Sequence, residues 1–220
     1  TILCLDIGSG TQDVLYFLGE PGETEDQCQD LENCPKFVLP SPARRIGAHI
    51  AACTRRQTPV YLHGRNMGGG FYQQVRAHTE AGLPMAIHPD AALALSDDPD
   101  RVSSWGLRLA RACPQGYQPI ELADVSPGFW RGFLDMAGLA FPEAILVAAQ
   151  DHGLHPGTSN RIGRFKLWRD MLEAGEGKLS SLVFRTPPEE MTRLNSIQEG
   201  AGCAMLADTA IDAFGKINLV

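Results

Sequence analysis

Near the start of the chain, several residues have types and spacing suited to holding an anion. In TILCLDIGSGTQDVLYF, Thr1 to Phe17, Asp6 is followed at once by Gly8-Ser9-Gly10-Thr11-Gln12. Two glycines let backbone N–H groups approach a negative group with no Cβ in the way. Ionisable residues recur at Gln150-Asp151-His152-Gly153, directly behind the apolar run Glu143–Ala149. Such groups at the end of a buried strand are costly unless they have partners or a task. Asp151 is placed to orient water or accept a proton, with His152, which titrates near neutral pH, to assist. A second glycine run, Gly64-Arg65-Asn66-Met67-Gly68-Gly69-Gly70, reads as a strand–loop–helix junction. Close backbone approach to an anion at the helix N-terminus and a merely tight turn account for it equally. No Lys-Ser/Thr follows, so it is not a P-loop. Arg161 and Arg164 occupy neighbouring positions of an expected helix, available to a phosphate or to Asp151, or simply solvated.

Metal and thiol chemistry find less support. His152 and His155 lack a fixed third ligand. Asp97, Asp98 and Asp100 lack the rest of a calcium loop and suit a helix start instead. The six cysteines (Cys4, Cys28, Cys34, Cys53, Cys113, Cys203) are scattered without a C-x-x-C pair. Cys4 reads as a small core residue, and Cys28 and Cys34 as dispersed thiols in an acidic loop. The closely spaced triplet with which radical enzymes hold an iron–sulfur cluster is absent, so radical activating chemistry is not expected.

The elements that must position these residues follow from patterning. Thr1–Ile7 predicts a strand buried on both faces, and Val14–Phe17 a second strand closed by a turn at Gly19–Gly22. The segment is therefore a hairpin with an acidic residue and glycine turn at one end. After a polar connection, Glu20–Glu32, strands are expected at Lys36–Leu39, Pro59–His63, Leu83–His88, Ile120–Val125, Glu143–Ala149, Ser181–Phe184 and Cys203–Ala207. Helices are expected from Ser41-Pro42 onward (Ser as cap, Pro in the first turn), over Phe71–Ala81, Asp97–Arg111 and Pro127–Gly138, from Ser159 onward, at Pro187-Pro188 and from Ala210 towards Ile217. Phe129, Trp130, Phe133 and Leu134 read as core rather than a base-stacking platform. No repeat or low-complexity segment occurs, and no boundary divides the chain.

The 220 residues, 44% hydrophobic and 20% charged, describe a globular chain able to bury a substantial core. A net charge of −7 and a pI near 5.3 argue against nucleic-acid or anionic-membrane partners. No apolar run nears the roughly 20 residues of a membrane span, and no signal peptide is evident, so a cytoplasmic location is expected.

Three families carry a D-x-G-x-G segment. A dinucleotide fold needs G-x-G-x-x-G, but the third glycine position here is Asp13. LDIGSGT resembles the first motif of S-adenosylmethionine-dependent methyltransferases, where a helix should follow. The hairpin resembles best the first phosphate loop of the actin, sugar-kinase and heat-shock-chaperone ATPases. Five motifs narrow the resemblance: DIGSGTQD, MGGG at Met67–Gly70, QDHG at Gln150–Gly153, SNRxxRF at Ser159–Phe165, and TR at Thr192-Arg193. In this order they resemble an uncharacterised prokaryotic family of actin-like ATPase fold, often labelled "putative pyruvate formate-lyase activating enzyme".

That resemblance implies an α/β, ribonuclease H-like lobe, with a mixed sheet that starts in an antiparallel hairpin and helices on its faces. It implies an ATP-binding protein that hydrolyses ATP or transfers its γ-phosphoryl group to a small-molecule or protein acceptor. Asp6 would hold Mg²⁺ through water, Gly8, Ser9, Gly10, Thr11 and Gln12 would cradle phosphates, and Asp151 would position or deprotonate the attacking group. Residues 1–220 would form the N-terminal lobe, with the second nucleotide-binding lobe missing. Two alternatives stand beside it: a methyltransferase, which requires a helix over 11–18, and a non-catalytic module switched by nucleotide.

Overall fold

The computed structural model describes residues 1–18, 32–155, 157–184 and 186–201. The expected turn at Gly19–Gly22, nearly all of the acidic connection, and the strand and helix expected beyond residue 202 lie outside the described residues.

The hairpin forms as its residues dictate. β1 (Ile2–Ile7) pairs antiparallel with β2 (Thr11–Phe17), from Ile2 opposite Phe17 to Ile7 opposite Gln12. The turn closes with the Gly8 N–H donating to the Thr11 carbonyl at 3.0 Å. β3 (Lys36–Pro40) continues the sheet antiparallel to β2, and β8 (Ala144–Ala149) joins the free edge of β1 in parallel, giving the order β3-β2-β1-β8. Leu3, Leu5, Ile7, Val14 and Tyr16 share the inner face. Against it lie Trp130 and Leu134 of α5 (Pro127–Met136) and Ile197 of α7 (Thr192–Ala201). The aromatic group of α5 is thus core, with Phe37 and Phe133 meeting edge to face at 5.1 Å.

β1 is not buried on both faces, however. Asp6 is exposed on the outer face, and Ile2 and Cys4 are only partly covered there. Cys4 is consequently a half-buried outer-face residue, whose thiol is pushed up to about 11 by burial and by neighbouring Cys34.

Where one mixed sheet was expected, there are two. Between β3 and β8 the chain builds a second sheet, parallel throughout, in the order β6-β5-β4-β7. Its strands are β4 (Val60–Gly64), β5 (Met85–Ile87), β6 (Leu107–Leu109) and β7 (Gln118–Leu122). Consecutive Val60, Tyr61 and Leu62 are all buried, as a parallel strand covered on both faces requires. α1 (Pro42–Arg55) supplies Ile46, Ile50 and Cys53 to this core, and α2 (Tyr72–Glu80) supplies Val75. The short helices α3 (Pro89–Ala92) and α4 (Pro99–Ser104) add Ala91, Ala92 and Val102. Ser41 caps α1 as its position foretold, its hydroxyl accepting from the Arg44 N–H.

Three expected elements are corrected. The helix expected over Asp97–Arg111 stops at Ser104, because Gly106 takes φ +86° and turns the chain into β6. Ser181–Phe184 is not a strand: a 3-10 turn spans Leu179–Leu182. No helix begins at Pro187-Pro188; α7 begins at Thr192. Between β8 and α7 runs α6 (Asn160–Ala174), as the Ser159 signal suggested.

Candidate functional site

The C-terminal ends of β1, β4, β7 and β8 carry the polar motifs, the usual position for a ligand in an open α/β sheet. At the end of β1, Gly8, Ser9 and Thr11 are exposed. The Ser9 carbonyl accepts from the Ser41 hydroxyl at 3.0 Å, and the Gly10 carbonyl from the Ser41 N–H at 3.1 Å. The helix cap of α1 therefore also ties back the turn's carbonyls. The N–H groups of Ser9 and Gly10 have no partner among the described residues. A Cβ on Gly10 would meet nothing within 4 Å. The turn is open, and its unpaired groups are donors.

Asp6 stands two residues before this turn, exposed, with exposed Asp13 as its partner across the strands. Like charges opposite one another in an antiparallel pair are unfavourable. Gln12 lies elsewhere: it is fully buried on the inner face, and neither its Oε1 nor its Nε2 has a partner among the described residues.

The second glycine run is arranged differently. Gly70, at φ +131°, abuts the first loop; a Cβ there would lie 3.8 Å from the Ser9 carbonyl oxygen and 3.4 Å from the Ala43 Cβ. Gly68, however, donates its N–H to the Asp124 carboxylate at 3.1 and 3.3 Å. Asp124 is 3% exposed and forms a two-pronged pair with Arg193, whose Nε and Nη2 lie at 2.7 and 2.8 Å. Arg193 also donates Nη1 to the Gln150 carbonyl, and a Cβ on Gly68 would sit 2.5 Å from Nη2. Next to this pair, Asn66 donates to the Thr192 hydroxyl at 2.7 Å. The MGGG, QDHG and TR motifs thus converge on one buried ion pair.

Asp151, 6% exposed, joins the same group. One oxygen accepts from the Gly153 N–H at 2.8 Å, the other from the Leu194 N–H in the first turn of α7 at 2.9 Å. It caps that helix from across the fold. His152 beside it has an exposed edge. Surrounding protein first, then the guanidinium of Arg164, holds its imidazole below the ordinary histidine range, with Arg193 adding to this and Asp151 and Asp97 opposing it. One carboxylate oxygen of Asp97 is buried without a partner among the described residues.

Sequence reasoning missed Asp124. It stands two residues past the end of β7, the same strand-end placement that drew attention to Asp151 at β8. Asn66 sat unremarked within the glycine run.

Residues 67–217 match the model of the family described as "Putative pyruvate format-lyase activating enzyme (DUF1786)". The chain belongs to that family. Searches of curated proteins and of solved structures give no match. Described Cys4, Cys34, Cys53 and Cys113 are free and dispersed over β1, the approach to β3, α1 and the loop after β6. Among the described residues no three His, Cys, Asp or Glu gather as metal ligands. No described helix is long and apolar enough to cross a membrane.

Proposed function

We propose that this chain is an actin-like ATPase lobe which binds ATP with Mg²⁺ at the Gly8–Gln12 turn, for hydrolysis or γ-phosphoryl transfer. One observation carries the reading. The turn joins two antiparallel strands, its carbonyls are drawn back by Ser41, and its Ser9 and Gly10 N–H groups have no partner among the described residues. Preorganised amides of this kind hold phosphate oxygens at little reorganisation cost. The exposed Thr11 hydroxyl is available as a further donor.

The donor set fits Mg²⁺ at Asp6. The Asp6–Asp13 repulsion across β1 and β2 is relieved by a divalent cation, which binds such sites through carboxylate and water oxygens. When bound, Mg²⁺ supplies charge neutralisation on the phosphates. Gln12 does not reach the open side. Its fully buried carboxamide has no hydrogen-bond partner among the described residues. Asp151 would orient the attacking group through lone pairs left free by its two backbone donors.

The segment that must be helical in a methyltransferase is β2, which favours the hairpin reading. Binding without turnover is a second reading, favoured by the engagement of both Asp151 oxygens as a helix cap. The test is calorimetric titration of ATP·Mg²⁺ into the chain, and into a version carrying the second lobe that the resemblance implies. Saturable binding that weakens about tenfold or more in Asp6→Asn is expected. Binding of S-adenosylmethionine instead, or equal ATP affinity in Asp6→Asn, would sink the reading. Turnover by the two-lobed version separates enzyme from switch.

A further inference from the structure

Beyond the glycine turn, a cleft of about 700 Å³ opens between the strand-end segment Gln150–His152 and α6. That volume is in the range of small-molecule pockets. Its wall on α6 includes Arg164, Phe165, Trp168 and Leu172, at spacings i, i+1, i+4 and i+8, which fall on one helical face, with Arg169 and Glu173 at its margin. An amphipathic helix ordinarily turns such a face into a core. Here it faces the cleft, with Phe165 60% and Leu172 41% exposed. α6 is held in place by the His155 ring, which donates its Nε2–H to the His152 carbonyl (2.8 Å) and packs directly on Gly163, where any side chain would collide.

The charges in the cleft are unequal. Arg169 pairs with Asp170 and Glu173 on its own helix, at 3.6 and 4.0 Å. Arg164 has no carboxylate partner among the described residues; its guanidinium lies 5.9 Å from the neighbouring Phe165 ring and acts electrostatically on His152. The His152 ring opposite likewise has no hydrogen-bond partner among them. The Asp151 carboxylate also lines the cleft, but its two oxygens are held by the Gly153 and Leu194 N–H groups. An apolar wall with an unpaired guanidinium and an imidazole at one end matches a ligand with an apolar body and an anionic head.

We infer that this cleft binds a small organic anion, a carboxylate or phosphate ester on an aromatic or aliphatic body, between Arg164 and the Phe165–Trp168–Leu172 face. Resting on the nucleotide reading, its place beside Asp151 makes this ligand the candidate phosphoryl acceptor: an oxygen of its head group would bond to the γ-phosphorus of ATP as the bond to the β-phosphate oxygen breaks, and ADP leaves. Binding itself needs no nucleotide.

The experiment is a fluorescence titration of the full chain with anilinonaphthalene sulfonate, an apolar dye with one anionic group, and no ATP present. Saturable binding of one dye per chain is expected, displaced by benzoate but not by benzyl alcohol. Arg164→Glu should weaken it about tenfold or more, and Arg164→Lys by less. Arg164→Gln should fall between them. Since Arg164 is exposed and unpaired, these variants leave the fold intact, which circular dichroism checks. Equal affinity in wild type and Arg164→Glu would reveal a generic apolar patch and overturn the proposal, as would no binding or displacement by benzyl alcohol. Failure of the ATP titration leaves these readings unchanged, so the two proposals fail separately.

Discussion

The two glycine-rich loops lie side by side and have similar compositions, yet they are in opposite states. At Gly8–Gly10 the chain has tied back its own carbonyls and left two amides and open space. At Gly68 the amide is already spent on Asp124, and the space a Cβ would need is filled by Arg193. The second loop resembles an anion site whose anion is a side chain of the protein. Glycine in a loop reports that something approaches closely; only the partners say whether that something comes from outside.

Breaking the filled loop should have the largest effect. Arg193→Ala leaves the Asp124 carboxylate, 1% exposed at its side chain, buried without its counter-ion. Loss of about 3–5 kcal/mol of stability is expected by urea denaturation. The double variant with Asp124→Ala should recover part of that, because no charge then remains unpaired. Gly68→Ala acts through the same pair. Its Cβ would force the Arg193 guanidinium aside, costing about 1–3 kcal/mol. Stability equal to wild type in either single variant would mean that the pair does not lock the loop.

A pH effect of intermediate size belongs to α2, the helix that the second loop opens. His78 is fully buried between the Thr54 hydroxyl, at 2.9 Å, and the Pro84 carbonyl, and burial holds its pKa below the ordinary value. The unfolded chain therefore takes up the proton first. Stability should be constant above about pH 6.5, fall as pH drops from there towards the folded-state value, and level off below it. His152 adds a change of the same sign. Urea midpoints from pH 7.5 to 5 measure the loss, which should be shallower in His78→Gln; an identical slope would assign it to other groups.

The smallest effect on stability should come from the same substitution in the open loop. Gly10→Ala meets no atom within 4 Å and should change stability by no more than about 0.5 kcal/mol. It should nonetheless weaken ATP·Mg²⁺ binding, because the new methyl stands where phosphate oxygens approach. A variant that loses stability but keeps binding would reverse the roles assigned to the two loops.

Much of the scaffold was legible in the residues. The hairpin follows from two apolar runs around a glycine turn, though the exposed outer face of β1 does not, and α1 follows from Ser41-Pro42. β6 was not legible, because its edge position leaves only Leu107 buried and erases any period over its three residues. The split into two sheets was hidden for a related reason: strands of both sheets are apolar runs of similar length, and pairing is decided by contacts far apart in the chain. The site was half visible. Polar residues behind buried strands pointed to Asp6 and Asp151. The pairing of Asp124 with Arg193 spans 69 residues, which no local pattern encodes. The cap that Asp151 provides to α7 likewise depends on a helix that the Pro187-Pro188 signal placed too early.

The most direct measurement follows the backbone amide resonances of both loops while ATP·Mg²⁺ is added. The account predicts large shifts at Ser9 and Gly10, saturating with ligand, and little change at Gly68. Shifts centred on Gly68–Gly70 with Ser9 and Gly10 unmoved would contradict it.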